Sequence, residues 1–262
     1  MENCDFGLPV GTNYVNDKSK FLKTGTTICG LICNHGEAVV VACDSRATAG
    51  PIVADKDCMK LHKLAQNIYC GGAGTAADLT HVTNFIATKL GVHGLTTGTF
   101  PRVKTAVTMF KRHLFQYGGH LGVYLVLGGY DCTGAHLYGL MANGYTSEQH
   151  YYSLGSGSVA ATTILDDGWN EGLTIEEGAA LAQHAIEAGI LNDMGSGSRV
   201  RVCIITKDGV DERLHVSYPC PRIFRNPDFK GFPKKLELVK KTFVPTIADN
   251  DINAENNKME ID

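Results

Sequence analysis

Lys23-Thr24-Gly25-Thr26-Thr27 runs directly into Ile28-Cys29-Gly30-Leu31-Ile32-Cys33, so a polar, glycine-containing leader meets a β-branched, apolar strand. After Asn34-His35-Gly36 comes a second apolar run, residues 37–43, and the two runs read as a hairpin. A cut after Gly25 leaves Thr26 as a new N-terminus, with a free α-amine beside its own hydroxyl. Such an amine titrates near ~8 and is partly available as a base at neutral pH. A threonine paired with its own N-terminal amine is an activated nucleophile. Taken alone, Gly-Thr-Thr can equally be no more than the start of a strand.

Outward from this junction, residues 59–64 and 67–70 read as another strand pair. Residues 76–90 read as a helix, with Leu79, Val82, Phe85, Ile86 and Leu90 on one face. A second helix opens near Pro101, a residue suited to a first turn, and repeats Val103, Val107, Phe110 and Leu114 on one side. Strands return at 122–129, 136–141 and 151–154. Thr174-Ile175-Glu176-Glu177 is a capping box that starts a helix to about Asn192. This order is not the strict alternation of a parallel doubly wound sheet. It predicts an α+β fold, a four-layer αββα sandwich of two antiparallel sheets flanked by helices. The Gly-Ser-Gly-Ser stretches at 155–158 and 195–198 have unlike flanks and read as turns.

Three parts follow: a polar leader (1–25), a compact domain (26–218) and a Pro-punctuated arm (219–262) whose end is polar and acidic. The arm holds too little apolar surface to offset its ordering entropy and reads as extended. Of the 262 residues, 44% are hydrophobic and 19% charged, as in ordinary globular proteins. A net charge of −3 gives no electrostatic case for nucleic acid or an anionic membrane. No apolar run approaches the roughly 20 residues of a spanning helix. The opening Met1-Glu2-Asn3-Cys4-Asp5 lacks the basic end and apolar stretch of a signal peptide. Nine cysteines without a C-x-x-C indicate buried thiols in a reducing compartment rather than a zinc or redox site. Cys58 and His62 lack a matching second pair of ligands.

Gly72-Ala73-Gly74-Thr75-Ala76-Ala77 follows a strand and opens a helix, as a dinucleotide fingerprint would. That fingerprint also needs an acidic residue about 20 positions on, and between Leu79 and Tyr130 there is no Asp or Glu. The dehydrogenase reading fails there. The same corner can aim the Gly74 N–H at a scissile carbonyl, a donor typically worth about 3–4 kcal/mol to an oxyanion.

Together with Thr24-Gly25-Thr26-Thr27, the segments Cys43-Asp44-Ser45-Arg46-Ala47-Thr48, Gly72 to Asp78, Gly155-Ser156-Gly157-Ser158 and Asn192-Asp193-Met194-Gly195-Ser196-Gly197-Ser198 resemble proteasome catalytic beta subunits. Among these the trypsin-like, beta-two type is the nearest in pattern. Ala54 to His62 and Ala188 to Asp193 add to the likeness, which covers about residues 24–205. The resemblance implies the N-terminal-nucleophile hydrolase fold and a threonine endopeptidase acting on unfolded or ubiquitin-targeted polypeptide. It implies stacked heptameric rings of alpha and beta subunits in cytoplasm and nucleus, with no cofactor or metal. The C-terminal arm would wrap a neighbouring beta subunit.

Carried onto this sequence, the resemblance implies that Thr26 is the nucleophile once 1–25 are removed by self-cleavage at Gly25-Thr26. Lys60 tunes it, Asp44 holds Lys60, and Ser156, Asp193 and Ser196 surround the α-amine. Gly74 supplies the oxyanion N–H, while Thr48, Gly74 and Ala76 bind extended substrate through their backbones. Gly72 leaves a roomy specificity pocket for a basic side chain, but the position that is usually acidic in that subunit is Thr80 here. Two extra residues near Glu37-Ala38 lengthen the first hairpin. For each residue a plainer reading stands beside this one: Asp44 with Arg46 as a turn pair, Asp193 as a helix cap, Ser156 and Ser196 as loop hydroxyls bonding their own backbone. Two other functions also remain: a structural ring subunit without activity, and an amidohydrolase of the same fold outside the proteasome.

Overall fold

The computed structural model describes residues 25–215. The expected leader up to Thr24, and the expected arm at 219–262, lie outside the described residues. In chain order the elements are β1 (Thr27–Cys33), β2 (Ala38–Asp44), β3 (Ala47–Ala49), β4 (Ile52–Asp55), β5 (Leu61–Ala65) and β6 (Ile68–Gly74). Then come α1 (Ala76–Thr97), α2 (Val103–Gln116), β7 (Val123–Asp131), β8 (Gly134–Leu140), β9 (Thr146–Glu148) and β10 (Tyr151–Gly155). The described part ends with α3 (Ser158–Gly168), α4 (Ile175–Asn192), β11 (Val200–Thr206) and β12 (Val210–His215).

Two five-stranded sheets, ordered β10-β1-β2-β11-β12 and β5-β6-β7-β8-β9, are antiparallel throughout, and β3-β4 forms a separate hairpin. Period-two alternation sorts the buried side chains into three layers. On β1 and β2, Cys29, Leu31, Val40 and Ala42 face α3 and α4. Ile28, Val39, Val41 and Cys43 face the other sheet, where they meet Tyr69, Val126 and Leu137. Cys70, Leu125 and Leu127 of the second sheet pack under α1 and α2 against Ile86 and Phe110. The αββα sandwich is therefore as expected. β2 is covered on both faces, which is why it reads as a continuous apolar run rather than an alternating one.

Local chemistry accounts for the differences from the sequence reading. The first helix runs past Leu90, where its buried face ends, to Thr97, and stops at Gly98 in the left-handed region (φ 69°). The second helix begins at Val103 rather than at Pro101, because the Asp131 carboxylate accepts from the Val103 N–H at 2.9 Å and fixes the first turn. The Thr174–Glu177 capping box is present at the start of α4. The helix α3, which follows the 155–158 turn and was not among the expected elements, is anchored by Ala161 and Leu165. Cys29, Cys33, Cys43, Cys70 and Cys203 are buried and unpaired, whereas Cys58 is half-buried and Cys132 exposed. Burial pushes the Cys29 and Cys203 thiols up to about 12, so they stay protonated.

Candidate active site

The start of β1, the end of β2 and the residue before β5 converge at one end of the layer between the sheets. Strand pairing forces this: Ile28 lies opposite Cys43, Thr27 opposite Gly155, and Asp44 opposite Val200. The loops after Asp44, Gly155 and Asn192 therefore open around Thr26.

Asp44 is fully buried and Lys60 and Thr26 nearly so. Lys60 Nζ donates to Asp44 Oδ1 at 2.8 Å, to Thr26 Oγ1 at 3.0 Å and to the Gly25 carbonyl at 3.2 Å, which uses all three ammonium protons. The Asp44 carboxylate is equally occupied. Its Oδ1 also accepts from Thr27 N–H (3.0 Å), and its Oδ2 from Arg46 N–H (3.2 Å) and Gly197 N–H (3.1 Å). A buried ion pair is tolerable only when its remaining donors and acceptors are satisfied in this way. Thr26 Oγ1 accepts from Lys60 and donates to Gly25 O at 2.6 Å. The cation thus stands beside both the hydroxyl and the carbonyl it would attack.

Gly25 is still joined to Thr26, so the Thr26 nitrogen is an amide here. Its N–H donates to Ser156 Oγ at 3.1 Å, and Ser156 Oγ donates to Asp193 Oδ2 at 2.6 Å. Ser196 Oγ donates to the same Asp193 oxygen at 2.7 Å and accepts from Thr27 Oγ1, also at 2.7 Å. Partial burial raises the Asp193 carboxyl, but hydrogen bonds from Ser156, Ser196 and the Gly195 N–H outweigh it, and the group lies below its usual range. It is an anion at neutral pH. Of the three residues expected around the amine, Ser156 alone bonds the Thr26 nitrogen, while Asp193 and Ser196 act through it and through Thr27.

Thr27 was not singled out from the sequence. Its side chain is wholly buried, its hydroxyl meets Ser196, and its N–H holds Asp44. A buried hydroxyl must find a partner, so its place at the head of an apolar strand was the available signal.

Gly74 ends β6 at φ +125°, and a Cβ there would stand 2.1 Å from the Gly122 carbonyl oxygen. The corner is clamped by Thr75 N–H to Gly122 O (2.8 Å) and Gly122 N–H to Asp78 Oδ2 (2.9 Å). Gly72, Gly74, Ala76 and Thr80 line one cavity of about 110 Å³ with Gly25, Thr26 and Lys60. Thr48 meets the leader through its hydroxyl, which accepts from Gly25 N–H at 3.1 Å, rather than through its backbone. Among the described residues, no group of three or more His, Cys, Asp or Glu is placed to hold a metal ion.

Comparison with known proteins gives this arrangement its context. The proteasome subunit family matches residues 22–205. The chain is 45% identical over 240 residues to proteasome subunit beta type-7-A of Arabidopsis thaliana, covering 92% of this chain and 87% of that one. It is 46% identical to proteasome subunit beta type-2 of Saccharomyces cerevisiae over 232 residues, covering 88% and 87%. It is 42% identical to proteasome subunit beta type-10 of Mus musculus over 223 residues, covering 85% and 81%. A match this long, spanning every element that builds the Thr26 site, establishes that the chain belongs to the proteasome subunit family.

Proposed function

We propose that this chain is a threonine endopeptidase of the beta type in the proteasome core, working from Thr26 after residues 1–25 are removed. The reading is carried by one observation: Thr26 Oγ1 is bonded to Lys60 Nζ, itself paired with a buried, fully occupied Asp44. Its bonds to Asp44 and to Thr26 Oγ1 do not depend on the leader, so after cleavage Lys60 stays beside the hydroxyl as a paired cation rather than as the base. The base is the α-amine exposed by cleavage. Ser156 donates onward to Asp193, so its oxygen faces the amine as an acceptor. One amine proton points there and the lone pair is left for the Thr26 hydroxyl.

In turnover, Oγ bonds to the substrate carbonyl carbon and its proton passes to the α-amine. The Gly74 N–H and Lys60 stabilise the oxyanion. The C–N bond then breaks, the amine hands its proton to the leaving nitrogen, and water hydrolyses the ester. In maturation the same hydroxyl attacks the Gly25 carbonyl carbon, the Gly25–Thr26 C–N bond breaks as the Oγ proton reaches the Thr26 nitrogen, and water hydrolyses the resulting ester; that carbonyl already accepts from Lys60 and from Oγ1. Glycine suits that position because of crowding: a Cβ on Gly25 would stand 2.1 Å from Gly195 Cα. Gly25→Ala is accordingly expected to slow leader removal by about 100-fold, the cost of a misplaced reacting group. A precursor time course by mass spectrometry measures this; unaltered processing would contradict it.

The basic preference expected from the beta-two pattern has weaker support. Among the described residues the pocket beside Thr26 holds Arg46, His62 and Thr80 but no carboxylate, and burial lowers the His62 imidazole, keeping it neutral. A basic preference therefore requires acidity from a neighbouring subunit. Membership of stacked heptameric rings, a C-terminal arm around a neighbour, and residence in cytoplasm and nucleus complete the proposal. The test is mass spectrometry of the isolated particle, expected to find this chain beginning at Thr26, with assay on peptides ending in Arg, Leu or Glu to rank the preference. An active particle in which this chain retains Met1 to Gly25 refutes the reading.

A further inference from the structure

We infer that a second, uncharged cavity beside Thr26 receives the side chain of the residue on the leaving side of the cut bond, and that it selects apolar or aromatic residues there. The inference rests on the threonine mechanism proposed above. The proton taken from Oγ must be delivered to the departing nitrogen, so that nitrogen has to come within reach of the Thr26 amine. The amine's side of the site is marked by Ser156, which the Thr26 nitrogen touches at 3.1 Å.

On that side lies a cavity of about 260 Å³, lined by Thr26, Gly74, Tyr124, Leu154, Gly155 and Ser156 among others. The pocket of about 110 Å³ described above contains instead Gly25, the acyl residue in self-cleavage. The two cavities share Thr26 and Gly74 and otherwise have different walls. They flank the reacting bond, one for the acyl side and one for the leaving side. A groove of about 500 Å³ between α3 and α4 also reaches Ser156, but Thr26 is not part of its wall, so the residue bonded to the reacting nitrogen does not sit there.

Among the described residues, no side chain on the wall of the leaving-side cavity is a carboxylate, ammonium, guanidinium or imidazole. Its bulkiest side chain is Tyr124 of β7, which lies opposite Ala73 and is 40% exposed, while its strand neighbours Val123 and Leu125 are buried on the other face. Tyr124 Cδ2 would lie 3.4 Å from a Cβ on Gly74, so its ring borders the catalytic corner. Gly155 (φ +101°) lets this wall lie directly against Thr26, since a Cβ there would strike the Thr26 carbonyl oxygen at 2.0 Å. A pocket without charged side chains and with an exposed aromatic face favours apolar and aromatic side chains and rejects charged ones, whose desolvation no side chain on its wall would repay.

The test is a peptide series with a fixed acyl-side sequence and a varied residue after the cut. It is assayed on the assembled particle and read as the part of kcat/KM that is lost in the Thr26→Ala particle. Phe, Tyr and Leu at the varied position should exceed Asp and Lys by about tenfold. Tyr124→Ala should flatten the ranking and Tyr124→Phe should preserve it, with a peptide boronate that has no leaving-side residue titrating Thr26 in each particle. A flat ranking in the unmodified particle, or one led by charged residues, overturns the subsite whatever the variants do. So does a Tyr124→Ala particle that titrates normally and keeps the original ranking. Cleavage identical in the Thr26→Ala particle would instead remove the threonine mechanism, and the subsite with it.

Discussion

Thr26→Ala is expected to give a particle in which this chain keeps its leader and contributes no peptide hydrolysis, a loss of at least about 10⁴-fold. Both reactions need one atom. Oγ1 is the Thr26 atom to which Lys60 donates, and it is already directed at the Gly25 carbonyl. Alanine removes it without disturbing the Asp44–Lys60 pair, whose other bonds involve Thr27, Arg46, Gly197 and Gly25. Folding and assembly should therefore survive, which separates a chemical defect from a structural one. Thr26→Ser keeps hydroxyl and amine and should retain part of both activities. It should be slower than the parent because the γ-methyl that restricts χ1 is gone. Intact mass of the subunit reports leader removal, and a peptide assay on the same particle reports turnover. A normally trimmed and active Thr26→Ala chain would end the threonine mechanism.

How much of this was legible in the sequence follows the range of the interactions. The β1–β2 hairpin announced itself through two apolar runs with Asn-His-Gly between them, and the pairing of Ile28 with Cys43 confirms it. The α4 start was equally plain, because a capping box is contained within four residues. Harder to see was α3, where Val159, Thr162, Thr163 and Ile164 have weak helix propensity and only Ala161 and Leu165 are buried. It exists because it packs on α4 and β10, which no local window contains. The three-residue strands β3 and β9 were too short for any period to emerge. In the site, Thr26, Asp44 and Lys60 were named through motif likeness and lie together. The link from Ser156 to Asp193 spans 37 positions and that from Thr27 to Ser196 spans 169, so Thr27 had no motif to mark it.

Asp44→Asn should be nearly as damaging as loss of the nucleophile, at about 10³-fold or more in peptide hydrolysis, but for a different reason. The parent carboxylate accepts four hydrogen bonds, two on each oxygen. An amide presents NH₂ in place of one oxygen, so whichever way it turns, a donor faces donors. It confronts either Lys60 Nζ and the Thr27 N–H, or the N–H groups of Arg46 and Gly197. Lys60 then keeps a buried charge without its counter-ion, a break that typically costs about 3–5 kcal/mol. Stability and activity should both fall, and the double variant Asp44→Asn/Lys60→Met tells the two effects apart. Removing both charges relieves the unpaired ammonium, so the melting temperature should recover part of the loss. Hydrolysis should not recover, because no cation remains beside Thr26 Oγ1 and the Gly25 carbonyl. Leader removal, which depends on the same contact, should fail in step. If the double variant regained activity along with stability, the Asp44–Lys60 pair would be a structural strut, and Thr26 would have to be activated from its amine side alone.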